Sequence, residues 1–204
     1  MDRIAKIALI IMFAFLLELV NSCCDCPETK YFYYSNCSLT VKNLDNSGKE
    51  PIISQNNIIP KEAFGIRISI GRSENVCEVK SNSFSLMQSA YGYDCFCPSE
   101  FEWLPLDSIV SVNVITDYDF NSEHEAGTDV SEYFFVYGGG EFAAIDEYIG
   151  VLKNILYDFN NPEFMFDLLL MTPPTMGTVH QFDVNIELSD GRILNAQTET
   201  MELN

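Results

Sequence analysis

The feature that most constrains the fold is an alternation of apolar and polar residues near the C-terminus. The apolar members of its first run are Phe182, Val184, Ile186 and Leu188. A period of two is typical of a β-strand with one buried face. Ser189-Asp190-Gly191 then supplies turn residues, and the alternation resumes at Leu194. The sequence therefore predicts a C-terminal β-hairpin.

The turn of this hairpin must keep both apolar sets on one face, and this requirement selects its length. A two-residue turn through Asp190-Gly191 would place Asn195 on the apolar face. A three-residue turn that also includes Ser189 places Ile186 opposite Leu194 instead. Such a turn ends in a bulge with a left-handed residue, so we predict a positive φ at Gly191.

Further short runs of alternating or apolar residues predict a mainly β fold. They are Tyr31–Val41, Phe64–Ile70, Val76–Val79, Phe84–Met87, Ser108–Thr116, Ser131–Tyr137 and Phe164–Met171. In the first run the odd-numbered residues, including Tyr31 and Tyr33, are assigned to the buried face, and so are Val110, Val112 and Val114 later in the chain. Many short strands favour an antiparallel β-sandwich of immunoglobulin-like or related topology.

One segment has a helical period instead. Ile145, Ile149, Leu152 and Phe159 recur at the spacing of one helix face. We predict an α-helix from about Phe142 to Phe159, before the helix-ending residues 160–162. It would lie in a crossover connection or cap one end of the sandwich.

The N-terminus has the pattern of an export signal. Arg3 and Lys6 precede Ile7–Leu17, an apolar run too short to span a bilayer, which takes about 20 residues. Val20-Asn21-Ser22-Cys23 resembles the bacterial lipobox, in which the cysteine is lipidated and becomes the first residue. We predict a lipoprotein signal peptide over residues 1–22, an acylated Cys23 that anchors the chain to a membrane, and a single domain over 23–204. The alternative is an ordinary secretory signal cleaved nearby.

The charge of the chain limits its partners. With 11 Lys and Arg against 30 Asp and Glu, the formal net charge is −19. Nucleic acid is not expected as a partner, because phosphate backbones require clustered cations. A hydrophobic content of 47% argues against a disordered acidic tail. Anionic lipids would repel the acidic folded domain, so we expect it to lie away from the membrane surface, connected to it by the lipid anchor.

The remaining cysteines also indicate an oxidising compartment. If Cys23 is lipidated, six are left: Cys24, Cys26, Cys37, Cys77, Cys95 and Cys97. An even number in an exported chain predicts three disulfides. One arrangement joins the two Cys-x-Cys pairs and leaves Cys37 to pair with Cys77. A zinc site formed by the two Cys-x-Cys pairs is the alternative.

An acidic loop follows the strand that ends at Thr116. Its oxygen-bearing residues at every second position, Asp117, Asp119, Asn121 and Glu123, have the spacing of calcium ligands. The loop lacks the glycine and the bidentate glutamate of the helical calcium loop. We therefore prefer the alternative, in which Tyr118 and Phe120 face the core and the acids face water, and we expect no other cofactor.

Two further patterns concern glycans. Asp107-Ser108-Ile109 resembles the short sequon at which Bacteroidota-type bacteria O-glycosylate exported proteins, which makes Ser108 a candidate modification site. Aromatic residues cluster at 31–34 and at 91–103. Exposed rings could stack on sugars, whereas buried rings would form core, and we favour core.

No catalytic arrangement is recognisable in the sequence. The chain has two histidines: His124 lies in the acidic loop, and His180 has the parity of the buried face of its strand. The serine-nucleophile and metalloprotease motifs are absent. We nominate no catalytic residue and do not expect an enzyme.

The lipobox, the strand Ser38–Leu44, the acidic loop Asp117–Asp129 and the hairpin His180–Thr198 together resemble the uncharacterised lipoproteins of Bacteroidota envelopes. This family is a domain of unknown function, so the resemblance implies a location and no chemistry. The location is the outer membrane, on its periplasmic or cell-surface face. We expect a non-catalytic binding or scaffold module. The first alternative is a glycan-binding accessory protein, and the second, which we favour less, is a carboxylate-dependent hydrolase.

Overall fold

The computed structural model describes residues 30–74, 101–138, 141–152 and 163–204. The chain divides into two compact units, Met1–Tyr31 with Asn82–Glu102 and Phe32–Ser81 with Trp103–Asn204. Only four described residues belong to the first unit. The features discussed below belong to the second.

Strands account for most of the described residues. They are β1 (Lys30–Asp45), β2 (Ile52–Ile53), β3 (Ile58–Ile59), β4 (Phe64–Ser73), β5 (Phe101–Pro105), β6 (Ile109–Thr116), β7 (Phe134–Gly138), β8 (Glu141–Ala144), β9 (Glu163–Leu170), β10 (Val179–His180), β11 (Phe182–Leu188), β12 (Ile193–Gln197) and β13 (Met201–Leu203). The described part of the chain has one α-helix, α1 (Ile145–Leu152), and two 3₁₀ turns, Lys61–Ala63 and Ser131–Tyr133. The prediction of a mainly β protein is confirmed.

The strands form three sheets. A seven-stranded sheet runs in the order β2-β1-β4-β9-β7-β8, with β5 paired to β1 beside this path. The other two have the orders β12-β11-β6 and β10-β13-β3. The pairing of β13 with β3 is parallel, and those along the other two sheet orders are antiparallel. This arrangement is consistent with the predicted antiparallel β-sandwich.

The core lies between the apolar faces of these sheets. Phe182 on β11 stacks on Phe64 of β4 at 5.4 Å between ring centroids, and meets Phe134 of β7 edge-on at 5.5 Å. All three rings are fully buried. Aromatic pairs of this kind add about 0.5–1.5 kcal/mol beyond the burial of their area. Phe182 therefore joins two sheets at one point.

One strand pairing joins segments that are far apart in the sequence. β4 pairs with β9 from Gly65 opposite Leu169 to Gly71 opposite Glu163. On the outer face of this pair, the guanidinium of Arg67 donates two hydrogen bonds to Asp167, each of 2.8 Å. The predicted strand Phe64–Ile70, with Arg67 facing outward, is confirmed.

The C-terminal hairpin has the predicted register. Ile186 lies opposite Leu194, and the φ of Gly191 is +87°. The N–H of Leu188 donates to the C=O of Arg192 at 2.9 Å, and the N–H of Gly191 donates to the C=O of Leu188 at 2.9 Å. The three-residue turn is confirmed.

A β-bulge interrupts β1 and was not predicted. Asn36 pairs with Arg72 and Ser38 with Gly71, so Cys37 is an extra residue on β1. An extra residue reverses which parity faces the core.

The predicted burial of two tyrosines that precede the bulge is wrong. Tyr31 and Tyr33 are 55% and 50% exposed, whereas Tyr34 is buried. After the bulge the odd residues face inward as predicted, with Val41 buried. The predicted parity therefore holds only for the second half of the strand.

A second bulge corrects the predicted burial of Val110. Glu187 lies opposite Ser111 and the next residue, Leu188, lies opposite Ile109, so Val110 is an extra residue on β6. Its side chain is 52% exposed. Ile109 takes its place in the core, and Val112 is buried as predicted.

The predicted helix begins later than expected. Glu141–Ala144 forms β8 and pairs with β7, with Phe142 opposite Tyr137 and their rings 5.1 Å apart. This pairing satisfies the backbone as a strand, so the helix begins only at Ile145. Residues 153–162, with the predicted helix end, and the predicted strands Val76–Val79 and Phe84–Met87 lie outside the described residues.

Candidate functional site

The most promising site is a groove between the edge of β6 and the β7–β8–α1 segment, with a volume of about 460 Å³. We call it the acidic groove. It is lined by Val112, Asn113, Asp129, Ser131, Glu132, Phe134, Phe135, Ala144, Ile145 and Asp146. Its size falls in the range of roughly 300–1,000 Å³ that is usual for ligand pockets.

The groove has an apolar floor. Val112, Phe134 and Ile145 are each less than 10% exposed and belong to the hydrophobic core. Val112 and Phe134 lie there because β6 and β7 direct alternate side chains into the core. Ile145 lies there because the apolar face of α1 packs against the same core. The floor is therefore rigid and built on regular elements.

The rim of the groove is negatively charged. Asp129, Glu132 and Asp146 are exposed, and none of the lining residues is a lysine or an arginine. Asp146 lies in the first turn of α1, where the helix dipole favours a negative charge. The groove thus combines apolar contact with a field that attracts cations.

The edge of β6 contributes main-chain groups to this groove. Further along the same edge, the N–H of Val130 donates to the C=O of Val114 at 2.8 Å, and the N–H of Thr116 donates to the C=O of Thr128 at 3.0 Å. In an antiparallel strand alternate residues present their main-chain groups to the same edge, so Val112 comes next. The N–H and C=O of Val112 therefore point away from β11, and among the described residues no hydrogen bond from outside the strand ladders reaches them.

Asp129 is held in place by its own loop. One of its carboxylate oxygens, Oδ1, accepts a hydrogen bond from the N–H of Ser131 at 2.8 Å and another from the Ser131 hydroxyl. The Ser131 hydroxyl oxygen in turn accepts the N–H of Val114 at 2.7 Å. In the described structure the second oxygen, Oδ2, makes no hydrogen bond, so it can accept one from a ligand.

Glu132 lies beside a small polar cluster. The Nε2 atom of His124 is 3.3 Å from its carboxylate, and the Nδ1 atom of the same ring is 3.3 Å from the hydroxyl of Tyr133. His124 lies in the acidic loop, as predicted. The Glu132 side chain is 66% exposed and remains accessible from the groove.

Three of the four candidate calcium ligands make other contacts in the structure. Asp117 accepts a hydrogen bond from the Gln197 amide at 2.8 Å, and Asp119 accepts one from the N–H of Ala126 at 3.0 Å. Asn121 binds the N–H groups of Glu123 and His124 within the loop. Among the described residues, no group of three or more His, Cys, Asp and Glu side chains could hold a metal ion.

The core-facing alternative for this loop is right at one position and wrong at the other. Phe120 is fully buried, as predicted, and stacks on Tyr133 at 5.0 Å between ring centroids. Tyr118 is 40% exposed. The loop leaves the strand geometry after Thr116, whose hydroxyl donates to the C=O of Tyr118 at 2.7 Å. The period of two therefore does not extend to Tyr118.

The chain matches DUF5034, a domain of unknown function, over residues 36–199, which is most of its length. This protein belongs to the DUF5034 family. No curated protein and no solved structure matches it.

The DUF5034 match contains the acidic groove and both bulges, and it begins after the first three predicted cysteine sites. Cys23, Cys24 and Cys26 precede it and lie outside the described residues. Cys77, Cys95 and Cys97 lie within it but also outside the described residues. Cys37 is described and half-buried at the bulge. Lipidation and the disulfides remain predictions.

The candidate glycosylation site of the DUF5034 domain lies against a buried ion pair. Asp107 is turned inward, with its side chain 1% exposed and 2.6 Å from the guanidinium of Arg192. Ser108 is half-buried, and its main chain makes two hydrogen bonds to Ser189. Modification of Ser108 remains a prediction.

Sequence reasoning missed the polar cluster around Asp107. The N–H and the side-chain amide of Asn36 both donate to Oδ1 of Asp107, at 3.1 and 2.6 Å. Arg192 also donates to the C=O of Asn36 at 3.0 Å and to Asp190 at 2.6 Å. Three segments far apart in the sequence meet here, and no local pattern indicates such a meeting.

His180 is buried, as its parity predicts. Its ring lies between Phe120 and Phe182, each with its centroid 6.3 Å away. Within the described residues, neither ring nitrogen has a hydrogen-bond partner. Burial lowers the pKa of His180, and nearby main-chain groups of Gly177 and Met176 oppose that shift.

Part of the first aromatic cluster is exposed, against expectation. Tyr31, Phe32 and Tyr33 are 55%, 40% and 50% exposed, and the Phe32 ring lies 5.0 Å from that of Trp103. In the described part of the chain, no helix has the length and hydropathy needed to cross a membrane.

Proposed function

We propose that this DUF5034 protein is an exported, lipid-anchored binding module of the bacterial cell envelope, without catalytic activity, whose ligand occupies the acidic groove. The groove is the observation that supports a binding role. It joins a buried apolar floor and the main-chain groups of Val112, which lie on strands and on α1, with three rim carboxylates from a loop, a 3₁₀ turn and α1. Preorganised groups of this kind bind ligands at low entropic cost.

The sequence supports the location. The charged start, the apolar run Ile7–Leu17 and the lipobox ending at Cys23 are the three parts of a lipoprotein signal. We place the protein on the outer membrane of a Bacteroidota-type bacterium, on the periplasmic or the cell-surface side. Several acyl chains at about 0.8 kcal/mol per buried CH₂ would make this anchoring stable.

The anchor is tested by expressing the full chain in a bacterium that processes lipoproteins. We expect mass spectrometry to find an N-terminal peptide that begins at Cys23 and carries acyl chains, and we expect the protein in the membrane fraction. Cys23→Ala should abolish both results. Cys24→Ala is the matched control and should keep both. A wild-type protein with an unmodified N-terminus, recovered in solution, would overturn the proposal.

The absence of catalysis is proposed from the lining of the groove. None of the described lining residues is a histidine, cysteine or lysine. The hydroxyl of the lining serine, Ser131, is already engaged by Asp129 and by the N–H of Val114, which supports a structural role for it. The three carboxylates leave a hydrolase as the enzymatic alternative. We expect no turnover of a panel of chromogenic glycosides and esters. Turnover that Asp146→Asn abolishes would contradict this part of the proposal.

A second candidate function is glycan binding, which the exposed aromatic residues favour. Tyr33 and Phe32 present large ring areas at the surface, and Phe32 packs on Trp103. Such rings can stack on sugar faces. Binding to one member of a polysaccharide panel, lost in Tyr33→Ala and kept in Glu132→Gln, would favour this function over the groove.

A further inference from the structure

We propose that the acidic groove binds an extended peptide segment that alternates cationic and apolar residues and pairs with the free edge of β6. This inference rests on the proposed function, because it names the ligand class of the same groove. The occupant would be a Lys- or Arg-containing segment of a partner protein.

The edge of β6 supplies the first reason. β11 occupies one edge of β6, and residues 127–131 occupy part of the other through Val114 and Thr116. Val112 is 3% exposed, and among the described residues no hydrogen bond from outside the strand ladders reaches its N–H or C=O. Buried main-chain groups without partners are costly, and an added strand would satisfy both at once.

Charge complementarity supplies the second reason. Asp129, Glu132 and Asp146 surround the groove, and its lining contains no cation. The Oδ2 atom of Asp129 has no hydrogen bond within the described structure, so it can accept one from an ammonium or a guanidinium. The net charge of −19 adds a long-range attraction for cationic segments and a repulsion for acidic ones.

The floor supplies the third reason. In an extended peptide, successive side chains point to opposite sides, so a period of two can present cations to the rim and apolar groups to the floor. Val112, Phe134 and Ile145 offer the apolar contact. The paired stretch is short, because the 127–131 segment occupies the edge at Val114 and the bulge at Val110 interrupts it on the other side.

The test uses the full-length protein and a fluorescein-labelled hexapeptide of alternating valine and lysine. We expect saturable binding in fluorescence anisotropy, weakening as salt is added, because salt screens exposed charges. The Glu132→Gln, Asp146→Asn double variant should bind about fivefold more weakly or worse, since two rim charges are lost. Glu50→Gln removes an exposed carboxylate that does not line the groove, and we expect it to bind like wild type.

A second probe separates strand pairing from simple charge attraction. The same hexapeptide with N-methylated valines keeps its charges but loses backbone donors, so we expect it to bind at least about fivefold more weakly. Equal binding of the methylated peptide, of spermidine, which carries three positive charges like the three lysines, or of an alternating valine–glutamate peptide would overturn the inference. Dimerisation of the protein that excludes the peptide would also overturn it, in favour of a second copy as occupant.

The two proposals fail in distinguishable ways. If Cys23 is acylated and the peptide does not bind, the ligand class is wrong and the envelope location stands. If the peptide binds as expected and Cys23 is unmodified, the location is wrong and the groove assignment stands.

Discussion

Asp107 carries a carboxylate that is almost completely buried, and its partners come from two distant parts of the chain. Asn36 binds one of its oxygens, and Arg192 binds the other at 2.6 Å. A buried carboxylate without its partner costs far more than an exposed one. The Asp107 environment is therefore a sensitive point of the fold.

Removal of the Arg192 guanidinium should be strongly destabilising. We expect Arg192→Met to lower the free energy of unfolding by about 2–4 kcal/mol, because the Asp107 charge would stay buried without its ion-pair partner. Chemical denaturation measures this. Asp190→Asn, which removes the exposed partner of the same arginine, should leave the denaturation midpoint near that of wild type.

A double variant checks the physical reason. Asp107→Asn in the Arg192→Met background removes the unpaired charge, so it should restore part of the lost stability. If the double variant is no more stable than Arg192→Met alone, the loss comes from packing of the arginine and not from the carboxylate.

His180 should make the stability depend on pH. Burial lowers its pKa in the folded protein below the ordinary value of 6.5, so the unfolded chain binds a proton first as the pH falls. The neutral ring makes its full contribution to the free energy of unfolding above about pH 6.5, and this contribution is lost progressively as the pH falls below that value. We expect His180→Phe, which keeps an aromatic ring beside Phe120 and Phe182, to reduce the slope of unfolding free energy against pH below that point.

Denaturation curves between neutral and mildly acidic pH measure this slope. The carboxylates contribute to the pH dependence of both proteins, so the difference between variant and wild type is the relevant quantity. A slope below about pH 6.5 that is identical in the two proteins would contradict the assignment to His180.

At the level of elements, the C-terminal hairpin shows what local sequence can specify. Its register was predictable because the alternation on both strands and the turn residues all favour one turn length. The left-handed φ of Gly191 follows from that turn. Such agreement between pattern and turn chemistry involves only neighbouring residues.

Gly191→Ala should therefore destabilise the hairpin by about 1 kcal/mol, because an alanine at a positive φ is strained even where space is available. Thermal or chemical unfolding measures the change. Gly150→Ala is the control: it lies in the exposed part of α1 with open space around its Cα, and should be neutral or stabilising. Equal effects of the two substitutions would argue against the left-handed turn.

The bulges show what local sequence could not specify. Nothing near Cys37 or Val110 marks either as an extra residue, because a bulge is defined by the partner strand. The start of the helix was missed for a related reason: Glu141–Ala144 pairs with β7, and the apolar spacing alone does not reveal that partner. The groove was missed because residues from β6, the loop before β7, β7 itself, β8 and α1 form it together.

For the whole molecule, the dominant electrostatic fact is the excess of 19 negative charges. Self-repulsion of this size opposes the compact state and keeps molecules apart in solution. Ion pairs such as Arg67–Asp167 compensate it only locally.

Salt should consequently stabilise the protein at neutral pH. Raising sodium chloride from about 10 to about 150 mM shortens the screening length from ~30 to ~8 Å, so repulsion between distant carboxylates falls. We expect the Tm measured by calorimetry to rise. Near the isoelectric point of about 4.2 the same addition should have little or the opposite effect. A Tm that falls with salt at neutral pH would show that ion pairs outweigh the repulsion.

The β4–β9 pairing has a consequence for how the polypeptide reaches its native state. Arg67 and Asp167, which join these strands, are separated by 100 positions. During synthesis, β4 emerges long before β9. The edge of β4 that pairs with β9 therefore stays unpaired until the later segment is available. Closing so large a loop has an entropic cost before any contact compensates it, which places this protein among slow, non-local folders. An open edge held that long is where chaperones would be expected to act.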